Sequence, residues 1–182
     1  MKRYSRKRAL TKLEEIRNDL AEAVRRDFEH KAASCLTCTT PGACCLDAHF
    51  VNVHISRLES EAIKNALACL PQDLRERVET RIDASIRDHA LTAVGDTFDQ
   101  KYACPLYEKG VGCLVHHTAK PLPCITHACY ESKSDMPPDS LLAEHELRVD
   151  RLNEMTYGRE HRWLPIPLAI ARRADDESLP AK

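Results

Sequence analysis

Apolar residues recur every three or four positions through the first part of the chain. Between residues 5 and 31 they are Leu10, Leu13, Ile16, Leu20, Val24 and Phe28. This spacing places them on one face of an α-helix, while charged residues occupy the other faces. We therefore expect a long amphipathic N-terminal helix over 5–31.

The period of the pattern changes in the next part of the chain. Apolar and polar residues alternate over 49–55, which is typical of a short extended segment. Ser56 and Glu59 then form the Ser-x-x-Glu pattern of a capping box at the start of a helix. After Pro71, apolar residues at steps of four predict another helix over 73–94, which the next glycine ends.

Prolines and glycines interrupt any regular pattern over 96–138. A loop of this length is uncommon in a compact domain unless something else, such as a metal, orders it. Periodicity returns over 139–158, where we expect a C-terminal helix that ends at Gly158. From His161 we expect the chain to cross the surface, and its polar end at 175–182 to fray.

These elements predict a mainly α fold, a helical domain of about four helices with a metal-binding nodule built from cysteine-rich loops. A length of 182 residues and a hydrophobic content of 43% suit one core, so we expect a single domain over 1–182. The net charge is -1 and only 5% of the residues are aromatic. A nucleic-acid interface requires a basic face with aromatic residues, so this composition argues against nucleic acid as a partner.

Nine cysteines are the strongest chemical signal in the chain, and eight of them form two groups. The first group is Cys35, Cys38, Cys44 and Cys45, and the second is Cys104, Cys113, Cys124 and Cys129. Cysteines this dense either form disulfides in an oxidising compartment or bind a soft metal in a reducing one. The ninth, Cys69, stands alone within a helical pattern, and we expect it to be a buried small apolar residue.

The first residues of the chain bear on the choice between disulfides and metal. Residues 1–16 are basic and amphipathic, without the apolar run of about 7–15 residues that a secretory signal requires. Every apolar run is also far shorter than the ~20 residues that span a bilayer. We therefore expect a cytoplasmic protein without a membrane partner, in which thiol buffers favour metal binding over disulfides.

The spacing within the first group is typical of metal ligands. Cys35 and Cys38 are two residues apart, the commonest arrangement for two thiolates on one ion. The adjacent side chains of Cys44 and Cys45 diverge, so either one ligates and the other packs, or they bind two metal atoms of a cluster. Four sulfurs suit a zinc ion and an iron–sulfur cluster equally, and both cofactors stay open.

Histidines near the second cysteine group widen the set of donors. His116 and His127 could each act as an additional ligand or as a hydrogen-bond partner of a sulfur. An enzyme that uses Cys124 as nucleophile and His127 as base is a competing interpretation, but thiols in a ligand cluster are normally occupied. The sequence also has no glycine-rich phosphate loop, HExxH or GxSxG motif.

The order of the motifs carries a family resemblance. The Cys-x-x-Cys and Cys-Cys pairs precede the stretch 53–59, and Cys104-Pro105-Leu106, Gly112-Cys113 and Pro121-Leu122-Pro123-Cys124 follow. Over roughly 35–130 this arrangement resembles the YkgJ-type cysteine-cluster family of zinc- or iron-chelating domains. The chain departs from the family pattern in having Lys120 where arginine is usual and His116 where tyrosine is common.

The resemblance implies a metal-binding core over 35–130. It implies as metal ligands Cys35, Cys38, Cys44, Cys45, Cys104, Cys113 and Cys124, while Cys129 rests on spacing alone. We expect a cytoplasmic metalloprotein whose metal ion serves a redox, metal-handling or interaction role, with a protein partner left open. Two alternatives stand beside it: a protein-modifying enzyme similar to a flagellin lysine methylase that shares these motifs, and a metal that only stabilises the fold.

Overall fold

The computed structural model describes residues 3–33, 40, 42–46, 51–94, 96–158 and 162–172. It is mainly helical, with 59% helix and 8% strand, which confirms the expected fold class. The α-helices of the described residues are α1 (Arg6–Asp27), α2 (Ala43–Leu46), α3 (Arg57–Ala68), α4 (Gln72–Asp88), α5 (Leu122–Thr126), α6 (Asp139–Tyr157) and α7 (Ile166–Ala171). Four of them are long, as predicted: α1, α3, α4 and α6.

Short antiparallel strand pairs connect the segments between the helices. The strands of the described residues are β1 (Ala32–Ala33), β2 (His54–Ile55), β3 (Tyr107–Glu108), β4 (Gly112–Cys113), β5 (Cys129–Tyr130) and β6 (Leu164–Pro165). Strand β1 pairs with β5, β2 with β6, and β3 with β4. Because each strand has two residues, these pairs fix where loops meet rather than forming a sheet core.

The N-terminal helix follows the pattern of its apolar positions. Ser5 caps α1 by accepting a hydrogen bond from the Arg8 N–H at 3.3 Å. Leu13 and Leu20 are fully buried, and α1 packs mainly against α6. A 3-10 turn over Glu29–Lys31 follows the helix. The prediction for 5–31 is confirmed, with the last turn tighter than α-helical.

Helix α3 begins with the capping box that its sequence predicts. The Glu59 N–H donates to Ser56 Oγ at 3.2 Å, and the Ser56 N–H donates to Glu59 Oε2 at 2.9 Å. The two hydrogen bonds pair the Ser56 and Glu59 N–H groups, which have no partner within the first turn of the helix. The extended segment before it is β2, as the alternating pattern over 49–55 indicates.

Helix α4 ends at Asp88, six residues before the predicted end at 94. Ala90 adopts a left-handed conformation with φ 48°, and the Leu91 N–H donates to the Ile86 carbonyl at 3.0 Å. This is a Schellman motif, in which an apolar residue just past the helix packs back onto it. Leu91 is buried, so the gain from core packing ends a helix that periodicity alone would continue.

The segment over 162–172 corrects our expectation of a surface tail. Leu164 is 3% exposed and Ile166 is 1% exposed, and α7 packs against α4 and α3. The proline of this segment at Pro167 does not prevent a helix, because the first turn needs no proline N–H. The predicted frayed end at 175–182 lies outside the described residues.

The buried apolar side chains form two clusters. The α4–α7 cluster includes Ile63, Val78 and Ile166, and residues from 102 to 119 pack into it. The α1–α6 cluster includes Leu20 and Val149 from its two main helices, and Leu58 and Leu122 from α3 and α5. Ala62 of α3 packs against both, so α3 lies between the clusters. No helix in the described part of the chain is long and apolar enough to cross a membrane.

A buried tyrosine connects three segments of the α4–α7 cluster. Tyr102 is 0% exposed, its hydroxyl donates to the Val53 carbonyl at 2.6 Å, and the Ile166 N–H donates to that hydroxyl at 3.0 Å. We expect Tyr102→Phe to lower the free energy of unfolding by about 1–2 kcal/mol, because buried polar groups lose their partner. Urea denaturation measures this change.

Tyr4→Phe is the matched control for that substitution. The Tyr4 ring lies under Arg8 and Lys12 as a cation–π partner, and phenylalanine keeps that face. We expect a change below about 0.5 kcal/mol for a substitution of this kind. Equal stabilities of Tyr102→Phe and the unmodified protein would contradict the role assigned to the buried hydroxyl.

Candidate metal centre

Cysteines from three separate segments meet at one place in the fold. Cys44 and Cys45 lie on α2, Cys104 and Cys113 flank the β3–β4 hairpin, and Cys124 lies on α5. The Cys104 N–H donates to the Cys45 carbonyl at 2.8 Å, so the first cysteine group contacts the second directly. Cys44 and Cys45 of the first group therefore lie near Cys104, Cys113 and Cys124 of the second, although the two groups are far apart in sequence.

The β3–β4 hairpin brings Cys113 back beside Cys104. Tyr107 pairs with Cys113 across the strands, and the Leu114 N–H donates to the Leu106 carbonyl at 2.9 Å. Backbone N–H groups of Leu106 and Tyr107 also hydrogen-bond the Cys104 thiol. Backbone donors directed at sulfur stabilise its thiolate form, which is the form that binds metal.

Helix α4 supports this hairpin through one arginine. Arg81 Nε donates to the Pro105 carbonyl at 2.9 Å, and Arg81 Nη1 forms an ion pair with Glu108 Oε2 at 2.9 Å. A forked guanidinium that contacts a carbonyl and a carboxylate at once fixes both in register. The position of the residue after Cys104 is thus held by the helical frame.

Burial and neighbouring thiols raise the pKa of four cysteines at this site. Burial and, to a smaller extent, the neighbouring Cys113 raise the pKa of Cys104 to about 12. The pKa of Cys45 is raised by burial and then by Cys104 and Cys44, whose side chain hydrogen-bonds it. The pKa of Cys124 is raised well above its usual value by burial, then by Cys104. These thiols share one poorly solvated environment, in which each new negative charge opposes the next.

Lys120 is a positive charge beside this group. It lowers the pKa of Cys113 and Cys124, although burial has the larger and opposite effect on both thiols. A cation at this point compensates part of the charge that thiolates would bring.

The two predicted histidines, His116 and His127, are both exposed and have similar electrostatic surroundings. His116 is exposed and its ring meets the edge of the His117 ring at 4.6 Å between centroids. His127 is the exposed residue that caps the end of α5. The pKa of each is lowered by desolvation and then by Lys120, which keeps the rings neutral near pH 7. A neutral imidazole can bind a metal ion through a ring nitrogen, so both histidines stay candidates for additional ligands.

The other predicted ligands are Cys35, Cys38 and Cys129. Cys35 and Cys38 lie outside the described residues. Cys129 is exposed in β5, where it pairs with Ala33 of β1, two residues before Cys35 in the sequence. Strand pairing therefore places Cys129 beside the chain that enters the first cysteine group.

Our expectation that Cys69 is buried is wrong. Cys69 is exposed at the end of α3, and its thiol donates to the Asn65 carbonyl at 3.4 Å. Leu67 is the last buried residue of α3, and Cys69 lies two residues, or about 200°, further around the helix. The apolar stretch in the sequence thus continues past the face that the core covers.

Two buried charged residues near the site were not recognised from the sequence as part of it. Arg17 is 9% exposed and Glu59 is 2% exposed, and both hydrogen-bond the backbone that leads into Cys124. The capping-box pattern identifies Glu59 only as a helix cap. Its Oε1 atom bonds Leu122, which is far away in the sequence, and no local pattern indicates that contact. Arg17 has no signal in the pattern beyond its place next to the apolar Ile16.

The donor set fits a soft metal by its chemistry. Seven cysteines in the described ranges carry thiols rather than disulfides: Cys44, Cys45, Cys69, Cys104, Cys113, Cys124 and Cys129. Sulfur donors of this number suit zinc or an iron–sulfur cluster better than a hard cation. Among the residues that the structure describes, no three His, Cys, Asp or Glu side chains are arranged as a preformed metal site. No family model, curated protein or solved structure matches this chain.

Proposed function

We propose that this chain is a cysteine-cluster metalloprotein that chelates zinc or an iron–sulfur cluster, similar to the YkgJ-type family. The ligands within the described residues are Cys44, Cys45, Cys104, Cys113 and Cys124, and the sequence pattern adds Cys35 and Cys38. One observation carries the proposal: five partly buried thiols from three segments, none of them in a disulfide, lie close enough to interact electrostatically. A soft metal ion is the partner that such thiols favour.

The ionisation of Cys124 argues against the competing nucleophile. Its pKa lies well above the usual range, so the group is a thiol and not a reactive thiolate at neutral pH. A metal ligand has no such difficulty, because the cation displaces the proton as it binds.

The metal would connect the two apolar clusters of the fold. Cys104 and Cys113 pack against the α4–α7 cluster, whereas Cys124 lies on α5, which packs within the α1–α6 cluster. A zinc ion bound here would supply a cross-link between them, and an iron–sulfur cluster would also supply electron transfer. We infer a cytoplasmic protein, because reduced thiols of this kind persist in a reducing compartment.

Metal analysis of ligand variants tests the proposal. The protein is purified without air and without a histidine tag, and zinc, iron and acid-labile sulfide are measured per chain. We expect about one zinc ion, or iron with sulfide, in the unmodified protein and a loss of at least about tenfold in metal retention in Cys104→Ser and Cys124→Ser. Cys69→Ser, which changes an exposed thiol, is the matched control and should retain metal fully.

The proposal fails if the unmodified protein contains no metal and takes up none on reconstitution. Equal metal content in Cys104→Ser, Cys124→Ser and Cys69→Ser would instead show that the ligands lie elsewhere. The spectrum of the same sample separates the two cofactors, since an iron–sulfur protein is brown and a zinc protein is colourless.

A further inference from the structure

Two buried charged residues hold the backbone that leads into Cys124. From α1, Arg17 Nη1 donates to the Thr118 carbonyl at 2.6 Å, and Arg17 Nε donates to the Lys120 carbonyl at 3.0 Å. From α3, Glu59 Oε1 accepts from the Leu122 N–H at 3.2 Å. Alternate residues 118, 120 and 122 are therefore each tied to a helix by one side chain.

Glu59 does more than a helix cap requires. Its Oε2 atom accepts from both the N–H and the hydroxyl of Ser56 at 2.9 Å, which completes the capping interaction. The other oxygen reaches the distant Leu122. Burying a carboxylate at 2% exposure is costly unless hydrogen bonds and an opposite charge offset it, and here Arg17 is that charge.

The tied backbone lies where the chain crosses between the two apolar clusters. Cys113 packs against the α4–α7 cluster, and Leu122 is a buried member of the α1–α6 cluster. The thiol of Cys124 follows Leu122 by two residues on α5. The course of residues 114–121 consequently sets how far Cys124 stands from Cys113 and from Cys104.

We propose that Glu59 and Arg17 are positioning residues that hold Cys124 in register with Cys104 and Cys113 for binding one metal centre. This inference rests on the proposed function. The pair acts through its hydrogen bonds to the backbone of 118–122. Outer residues that orient ligands affect metal affinity by about 10–100-fold in other metal sites, and we expect an effect in this range.

Zinc affinity of matched variants tests the inference. Glu59→Gln keeps the size of the side chain but removes its charge and places an amide NH₂ where N–H donors converge. Arg17→Lys keeps the charge but offers a single ammonium in place of the fork that contacts two carbonyls. Affinity is measured by competition with a chromophoric chelator in the reduced, full-length protein, and unfolding by urea in the metal-free state.

We expect zinc affinity to fall by about 10-fold or more in Glu59→Gln and by a smaller factor in Arg17→Lys. The sulfur-to-cobalt charge-transfer band of the cobalt-substituted protein should weaken in parallel, because fewer thiolates reach the ion. Ser60→Ala is the control: it lies next to Glu59 and loses a buried hydrogen bond to the Ala169 carbonyl, without touching 118–122. Its affinity should stay unchanged.

Two results would overturn the inference. One is wild-type zinc affinity in both Glu59→Gln and Arg17→Lys. The other is a loss of affinity in Ser60→Ala that matches theirs at equal loss of stability, since the effect would then follow general destabilisation. Absence of zinc binding in the unmodified protein would be a different result, because it would overturn the proposed function itself.

Discussion

Metal-free protein should lose stability steeply as the pH rises above about 8.5, the usual pKa of a cysteine. Burial raises the pKa of Cys45, Cys104, Cys113 and Cys124 in the folded state. Above pH 8.5 the unfolded chain releases these protons while the folded chain keeps them, so unfolding becomes more favourable. A fully buried thiol costs up to about 1.4 kcal/mol per pH unit, and the cost is smaller for Cys45 and Cys113, which solvent reaches more easily.

Urea denaturation of the reduced protein with a metal chelator at pH 7.5, 8.5 and 9.5 measures this loss. Replacing Cys124 by alanine removes one buried thiol and should make the dependence on pH shallower. Cys69→Ser should leave the dependence unchanged, because its thiol is exposed. A stability that stays level up to pH 9.5 would contradict the buried, protonated state of the thiols. Bound metal should reverse the trend, since ligation requires thiolates and strengthens as protons become scarce.

Gly42→Ala should destabilise the protein by about 3 kcal/mol, with two contributions of different origin. Gly42 has φ 84°, a left-handed conformation that costs a residue with a side chain about 1–2 kcal/mol. A Cβ atom at this position would also overlap the ring of Tyr107. Either the Tyr107 ring or the backbone at Gly42 would have to move. A shift of Gly42 would disturb the turn in which the Cys45 N–H donates to the Gly42 carbonyl at 2.8 Å.

Gly110→Ala separates the two contributions to this loss. Gly110 has nearly the same conformation, with φ 82°, but nothing lies within 4 Å of a Cβ atom there. It should lose only the backbone contribution of about 1–2 kcal/mol. In a Tyr107→Leu background the cost of Gly42→Ala should fall towards that of Gly110→Ala. Equal costs of both glycine substitutions in the unmodified protein would show that the Tyr107 contact is unimportant.

The contact between Gly42 and Tyr107 also bears on the assembly of the cysteine site. Gly42 precedes the cysteines of α2, and Tyr107 pairs with Cys113 in the hairpin. The close contact between Tyr107 and Gly42 thus joins α2 to the β3–β4 hairpin, as does the backbone hydrogen bond from Cys104 to Cys45. Metal retention in Gly42→Ala should therefore decline more than in Gly110→Ala.

The helices could be predicted from the sequence because their causes are local. Apolar residues at steps of three and four define the buried face of α1, and Ser56 with Glu59 defines the start of α3. Helix α4 shows the limit of this reasoning, since its end depends on burying Leu91 against the core. The periodic pattern continues to 94 because it contains no information on which side chains pack into the core.

The prediction that the chain from His161 crosses the surface is wrong over 162–172, for a related reason. Prolines and the short apolar run at Leu164 and Ile166 indicate a turn, but they do not indicate what covers it. Only the pairing of β6 with β2 and the packing of α7 on α4 bury them. Cys69 is the reverse case, an apolar-looking position that the packing leaves outside the core.

By itself, the sequence determined the helical fold class and which cysteines are candidates for metal, because periodicity, caps and residue spacing act over a few residues. Tertiary structure alone decided that Cys44, Cys45, Cys104, Cys113 and Cys124 come together, and that Arg17 and Glu59 hold the backbone between them. These contacts join residues up to about a hundred positions apart. Their partners are selected by packing of the whole fold, which no local pattern contains.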